Sequence, residues 1–164
     1  MAEIKEGARA PQFTLPAVNV EKIGMEGDTI ALKDFKGDRI VVLYFYPRDN
    51  TKGCTLEATG FRDLNGQFTR NNAVILGVST DDIDSHEKFV EKQKLNFPLL
   101  SDEDATVAQK YDAWKEKKMY GKTFMGIVRS TFVIDRKGRI AKIWPRVSPE
   151  GHAEEVLEFV KGMQ

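Results

Sequence analysis

Residues 40–79 constrain the fold more tightly than any other stretch of the chain, because they spell out two buried-type strands with one amphipathic helix between them. Ile40 to Tyr46 reads I-V-V-L-Y-F-Y, a continuous β-branched and aromatic run of the kind covered on both faces. Pro47 ends it, since proline cannot donate to a central ladder, and Asp49, Asn50 and Gly53 supply turn chemistry. From Cys54 onward Ala58, Phe61, Leu64 and Phe68 recur every three or four residues, with Glu57, Arg62, Asp63, Gln67 and Arg70 filling the other side. This spacing predicts a helix capped at Thr51 or a neighbour. Ala73 to Ser79 is the second buried-type strand. A strand, helix, strand unit of this length implies parallel pairing through a right-handed crossover.

The flanking segments extend the same sheet. Phe13, Leu15 and Val18, followed by Thr29 to Leu32, predict short strands or a hairpin joined by the Gly24 to Asp28 loop. Ser85 to Leu95 reads as a helix capped at Asp84 with Phe89 and Val90 inward, and Phe97 to Leu100 as a short edge strand. Ala105 to Tyr111 reads as a short helix, leading into an aromatic loop that carries Trp114, Met119, Tyr120, Gly121 and Gly126. Ser130 to Ile134 and Arg139 to Trp144 bracket Asp135-Arg136-Lys137-Gly138, a hairpin signal, and Pro149 to Lys161 closes the chain as a helix. The expected class is α/β: a central mixed β-sheet flanked by helices, with an N-terminal hairpin extension. With a cysteine just past the end of a strand and at a helix start, that order suggests a thioredoxin-like fold.

The chain has 164 residues, 41% of them hydrophobic, enough for one well-filled domain and few for two, so residues 1–164 are expected to form a single domain. Lys plus Arg and Asp plus Glu are 25 each, and a balanced charge recommends neither nucleic acid nor an anionic membrane as partner. Met1-Ala2-Glu3-Ile4-Lys5-Glu6-Gly7 lacks the apolar core of a signal peptide, and no apolar run reaches the length of a membrane helix, so the expected address is the cytoplasm. His86 and His152 show no ligand spacing with the cysteine, and Asp81, Asp82, Asp84, Asp102, Glu103 and Asp104 read as solvated loops and helix starts. No metal and no cofactor is expected.

The candidate site centres on Cys54, the chain's one cysteine. One cysteine excludes an internal disulfide, and its place at a helix start favours negative charge on sulfur, because the unpaired first-turn amides point there. Taken alone, such a residue is more often a small buried hydrophobe than a nucleophile.

Its surroundings change that reading. Pro47 to Cys54, P-R-D-N-T-K-G-C, matches the peroxiredoxin pattern of Pro, three residues, Thr, two residues, Cys. The preceding Tyr44-Phe45-Tyr46, the C-T-L-E-A helix start and the R-S-T-F-V-I-D block from Arg129 resemble the same family. Met119-Tyr120-Gly121-Lys122 and Gly126-Ile127 bring the resemblance closest to its bacterioferritin comigratory protein, or Q-type, branch, from about Ala10 to the C-terminus.

The resemblance implies a thiol-dependent peroxidase in which Cys54 attacks a peroxide oxygen and is left as a sulfenic acid. It also implies that Arg129 and Thr51 stabilise the reacting oxygens, and that Pro47 and the Gly53 and Cys54 amides shape the pocket, with Tyr44 and Tyr46 as pocket wall. Chemistry supports the need for such helpers. An unperturbed thiol is about 3% ionised at pH 7, so complete ionisation gains only about thirtyfold, and the rest of the acceleration must come from donors aimed at the transition state. Many members of the branch carry a second cysteine where this chain has Thr59, or in the next helix near Phe89 and Val90. Lacking it, the chain is expected to rely on an external thiol, whether glutathione, glutaredoxin or thioredoxin, and to work as a monomer or a homodimer. The competing readings are a thiol transferase, disfavoured by the absence of C-x-x-C, and a non-catalytic binding or holdase module that uses the aromatic loop.

Overall fold

The computed structural model describes residues 3–164. In chain order the elements are β1 (Thr14–Val18), β2 (Thr29–Ala31), β3 (Ile40–Phe45), α1 (Lys52–Arg70), β4 (Ala73–Ser79), α2 (Ile83–Gln93), β5 (Leu99–Ser101), α3 (Thr106–Lys110), β6 (Trp114–Met119), β7 (Lys122–Ile127), β8 (Ser130–Ile134), β9 (Ile140–Trp144) and α4 (His152–Lys161). Seven strands form one mixed sheet in the order β2-β1-β5-β4-β3-β8-β9, and β6 and β7 pair separately. The fold is thioredoxin-like.

The strands read as doubly covered are so. Every residue of β3 and of β4 is buried, and the two run parallel from Ile40 opposite Ala73 to Phe45 opposite Val78. Side-chain alternation divides β3 between two apolar layers. Val41, Leu43 and Phe45 face Phe13, Leu32, Tyr111 and Phe132, whereas Val42, Tyr44 and Tyr46 face α1, α2 and α4 through Phe61, Phe89 and Val156. Cys54 belongs to the second layer, so the sheet and three helices fix where the sulfur can lie.

Several expectations need correcting. Residues 97–100 do not form an edge: β5 lies inside the sheet, parallel to β4 and antiparallel to β1, because the N-terminal β1–β2 hairpin docks on its outer side. The aromatic loop is a regular hairpin, β6 paired with β7 from Trp114 opposite Ile127 to Met119 opposite Lys122. Its two-residue turn, Tyr120 and Gly121, has φ of 53° and 75°, the pair of positive angles such a turn requires. The cap of α2 is Asp82, whose Oδ1 accepts from the Ser85 amide at 2.9 Å, rather than Asp84. Asp102 is not solvated but 1% exposed, accepting from the Val107 and Ala108 amides at the head of α3. The last helix starts at His152, not at Pro149. Among the described residues no helix is long and apolar enough to cross a membrane.

Candidate active site

Cys54 lies in the first turn of α1 and is 1% exposed. The helix forms here because Pro47 and the Asp49–Asn50 turn break β3, with Asn50 at φ 64° sending the chain back over the sheet. The bond from Thr55 N–H to the Thr51 carbonyl, 2.8 Å, opens the helical ladder. The amides of Gly53 and Cys54 thus belong to the first turn, whose N–H groups have no acceptor within the helix and carry its positive end.

Arg129 reaches this turn from the residue before β8. Its Nη2 donates to Cys54 Sγ at 3.4 Å while Nη1 donates to Glu57 Oε1 at 2.7 Å, so one guanidinium bridges thiol and carboxylate. The Val147 amide anchors the Arg129 carbonyl at 2.9 Å. Gly53 makes the approach possible: a Cβ there would stand 3.1 Å from Arg129 Nη2. Burial acts against the guanidinium charge, but Glu57 and then Cys54 hold its pKa above the usual arginine value.

Glu57, expected on the polar side of α1, has a fully buried side chain. Burial pushes its carboxyl from the usual 4.5 up to about 7, against the downward pull of Arg129. The signal was present in the spacing, since positions 54, 57, 58 and 61 are one helical stripe. The charged residue type masked it. Tyr44 lies below the same turn, stacked on Phe61 with ring centroids 4.8 Å apart. Its phenol is held protonated by burial and by the nearby Glu57 and Cys54 charges. Neither the Tyr44 hydroxyl nor Glu57 Oε2 has a hydrogen-bond partner among the described residues.

The other expected residues are placed as follows. Thr51 is the N-cap residue by position, but its hydroxyl caps no amide; it is exposed and donates to the Arg48 carbonyl at 3.0 Å. Pro47 and Arg129 line an open cleft of about 390 Å³ together with Glu116, Lys117, Lys118, Val128, Arg146 and Val147. A larger cleft of about 520 Å³ between β1 and α2 includes none of the candidate residues. None of the expected pocket residues Gly53, Tyr44 and Tyr46 lines the open cleft: Tyr44 is 0% and Tyr46 1% exposed, and the Tyr46 hydroxyl donates to Asp49 Oδ1 at 2.6 Å, away from the thiol.

That contact belongs to a second buried network beneath the active-site loop. Asp49 Oδ2 lies 2.7 Å from His86 Nδ1 and accepts from Ser85 Oγ at 2.8 Å, while His86 Nε2 lies 2.9 Å from the Leu100 carbonyl. The Asp49 amide donates to Asp81 Oδ2 at 2.8 Å, and Ser79 Oγ donates to the same oxygen at 2.7 Å. Asp81 and His86, read as solvated or unremarkable, therefore converge on the loop that leads to Cys54. One ligand atom each from Asp49, Asp81 and His86 fall within 4.8 Å of one another, but these atoms already bond to neighbouring protein groups. His86→Ala is expected to take the imidazole from Asp49 Oδ2, which keeps Ser85 Oγ, and from the buried Leu100 carbonyl, at a cost of about 2 kcal/mol. Urea unfolding measures it.

The family model described as the AhpC/TSA family matches residues 7–143. The putative peroxiredoxin bcp of Coxiella burnetii is 45% identical over 94% of this chain and 97% of its own length. Peroxiredoxin Bcp of Bacillus subtilis is 46% identical over 98% of this chain and 97% of its own. Among solved structures, PrxQ of Xylella fastidiosa superposes with a TM-score of 0.88 at 38% identity, covering 99% of both chains. The bacterioferritin comigratory protein of Xanthomonas campestris gives 0.83 at 38% identity, over 92% of this chain and 91% of that one. The chain belongs to the AhpC/TSA family, in its Bcp/PrxQ peroxiredoxin branch, and is a thiol-dependent peroxidase that carries no resolving cysteine.

Proposed function

We propose that this peroxidase works by a one-cysteine mechanism on hydrogen peroxide and alkyl hydroperoxides, in antioxidant defence in the cytoplasm. The observation that carries this reading is the guanidinium of Arg129 held between Glu57 and the sulfur of the chain's single cysteine. The Cys54 thiolate attacks one peroxide oxygen. The O–O bond breaks, the second oxygen departs with the bonding pair and takes a proton as water or alcohol, and sulfur is left as sulfenic acid. Arg129, with one N–H on sulfur and the other pinned by Glu57, lies where charge moves from sulfur to the leaving oxygen. Thr51, now bonded to the Arg48 carbonyl, turns its hydroxyl onto the peroxide, and the Gly53 and Cys54 amides add fixed donors. Pro47 forms part of the cleft wall beside Arg129. Tyr44, stacked on Phe61, supports the first turn of α1 from below.

Recycling needs two equivalents of an external thiol, since there is no second cysteine to condense with the sulfenic acid. Peroxide consumption in the presence of dithiothreitol tests the proposal: turnover by the native chain and none by Cys54→Ser is the expected outcome, and turnover by Cys54→Ser overturns it. A related outcome concerns excess peroxide. Without an internal disulfide to intercept it, sulfenic acid is expected to proceed to sulfinic acid, so turnover dies during the assay and dithiothreitol does not restore it. Intact-mass spectrometry checks this, through the gain of two oxygens.

A further inference from the structure

The cleft lined by Pro47 and Arg129 has a pronounced charge; Cys54, 1% exposed, is not part of its wall and meets it through the Arg129 guanidinium. Of the residues lining its roughly 390 Å³, Lys117, Lys118, Arg129 and Arg146 are cationic and only Glu116 is acidic, in a chain whose formal charge is zero. Among the described residues Lys117, Lys118 and Arg146 enter no ion pair, whereas Lys115 on the same strand is paired with Asp112 outside the cleft. The β6–β7 hairpin supplies two of these cations and the segment after β9 supplies Arg146. Arg129, which touches Sγ, lies among them.

Lys117 is held in place rather than waving in solvent. Its Nζ donates to the Ile127 carbonyl at 2.8 Å, and its stem packs on Gly126, where a Cβ would stand 3.1 Å from Lys117 Cδ. Burial, and then the neighbouring Arg129 charge, hold its ammonium below the usual lysine range, with Cys54 acting in the opposite sense. Two cations this close repel one another unless an anion joins them. Arg129 already has Glu57 and the sulfur as partners, leaving Lys117, with Lys118 and Arg146 at the rim, to face an incoming ligand.

We propose that this cleft binds the reducing thiol, and that the thiol is a small molecule carrying carboxylates, with net negative charge. The inference rests on the one-cysteine reading above and specifies its reductant. A peroxide is neutral and makes no use of three unpaired cations, but the second substrate of a chain without a resolving cysteine must deliver its sulfur to Cys54 from solvent. With its carboxylates on Lys118 and Arg146, such a molecule presents its thiol toward Sγ. That thiol attacks the sulfenic sulfur, the S–O bond breaks as the S–S bond forms, and hydroxide leaves with the thiol proton as water. A second molecule of the same thiol then attacks the outer sulfur of the mixed disulfide, releasing the small disulfide and returning Cys54 to the thiol.

The test uses glutathione, its diethyl ester and cysteamine as probes: anionic, carboxylate-free and cationic thiols. The full chain is first oxidised with one equivalent of peroxide, and recovery of the Cys54 thiol is followed by mass, each rate being divided by that thiol's thiolate fraction. Glutathione is expected to exceed its diester by about tenfold at low salt, the advantage shrinking as ionic strength shortens the screening length. Lys118→Glu combined with Arg146→Glu is expected to bring the two rates within about twofold, while the charge-matched control Lys88→Glu combined with Lys92→Glu on α2 keeps the difference. Equal rates in the native chain overturn the proposal, as does an advantage for cysteamine or recovery only with a protein dithiol such as thioredoxin. Failure of every thiol, dithiothreitol included, instead overturns the one-cysteine reading itself.

Discussion

Arg129→Lys is expected to slow the oxidation of Cys54 by peroxide about 100-fold, and Arg129→Met about 1,000-fold, the range seen when a single transition-state donor is removed. The geometry sets the order of the two variants. Arg129 uses separate nitrogens of one planar group, Nη1 on Glu57 and Nη2 on sulfur, so the carboxylate fixes the plane in which the second nitrogen meets the thiol. An ammonium is a point charge on a flexible stem: it can neutralise Glu57 or face sulfur, but it does not couple the two. Methionine keeps bulk and removes the charge as well. Stopped-flow tryptophan fluorescence, using Trp114 and Trp144, measures the step directly. Far-UV circular dichroism separates lost chemistry from lost folding. A rate within about threefold of the native chain for Arg129→Met removes Arg129 from the mechanism.

Glu57→Gln is expected to change how stability depends on pH. In the folded chain the carboxyl titrates at about 7, against the usual 4.5, with burial as the first cause. Between those values the folded state keeps a proton that the unfolded chain has released, so stability falls as pH rises. The contribution is fully present below about 4.5 and gone above about 7. At about 1.4 kcal/mol per pH unit this interval is worth about 3 kcal/mol. Glutamine cannot titrate, and its unfolding free energy should lack that fall. Urea titrations at a series of pH values give the difference between the two chains, in which all other groups cancel. Parallel curves would contradict the assignment. The pull of Arg129 on the carboxylate is already contained in that value of about 7, so losing it in the variant adds no second pH-dependent step to the comparison.

The parts of the site that announce themselves in sequence are those whose chemistry demands a residue type at a fixed spacing. Cys54 follows Thr51 by three positions and Pro47 by seven, and those offsets place all three around one helix start without any knowledge of the sheet. Arg129 is 75 residues away from Cys54, and only the resemblance to a known family linked it to the thiol. Glu57 was missed because a carboxylate in an amphipathic helix is ordinarily solvated, and the partner that makes its burial tolerable comes from that same distant position. The Asp49, Asp81 and His86 network was hidden for a similar reason. Asp49 and Asp81 lie in the loops after β3 and β4 and His86 lies in α2, so they meet only when the chain has folded.

The sheet was legible where the strands are buried on both faces and obscure where they are not. β3 and β4 declare themselves through unbroken apolar runs. β6, W-K-E-K-K-M, carries its pairing in the backbone while exposing most of its side chains, so its sequence has no period to read. The interior place of β5 depends on the N-terminal hairpin returning to pair with it, a long-range event that a three-residue strand does not encode.

Peptide mapping after a single equivalent of hydrogen peroxide, with dimedone present to trap sulfenic acid, tests most directly whether Cys54 is the atom that takes the oxygen. Five methionines in the same chain compete for the oxidant. The dimedone adduct is expected on Cys54 with the methionines intact, and dithiothreitol added in place of dimedone is expected to restore the thiol. Oxygen found on methionine while Cys54 remains an unmodified thiol would contradict that role of Cys54.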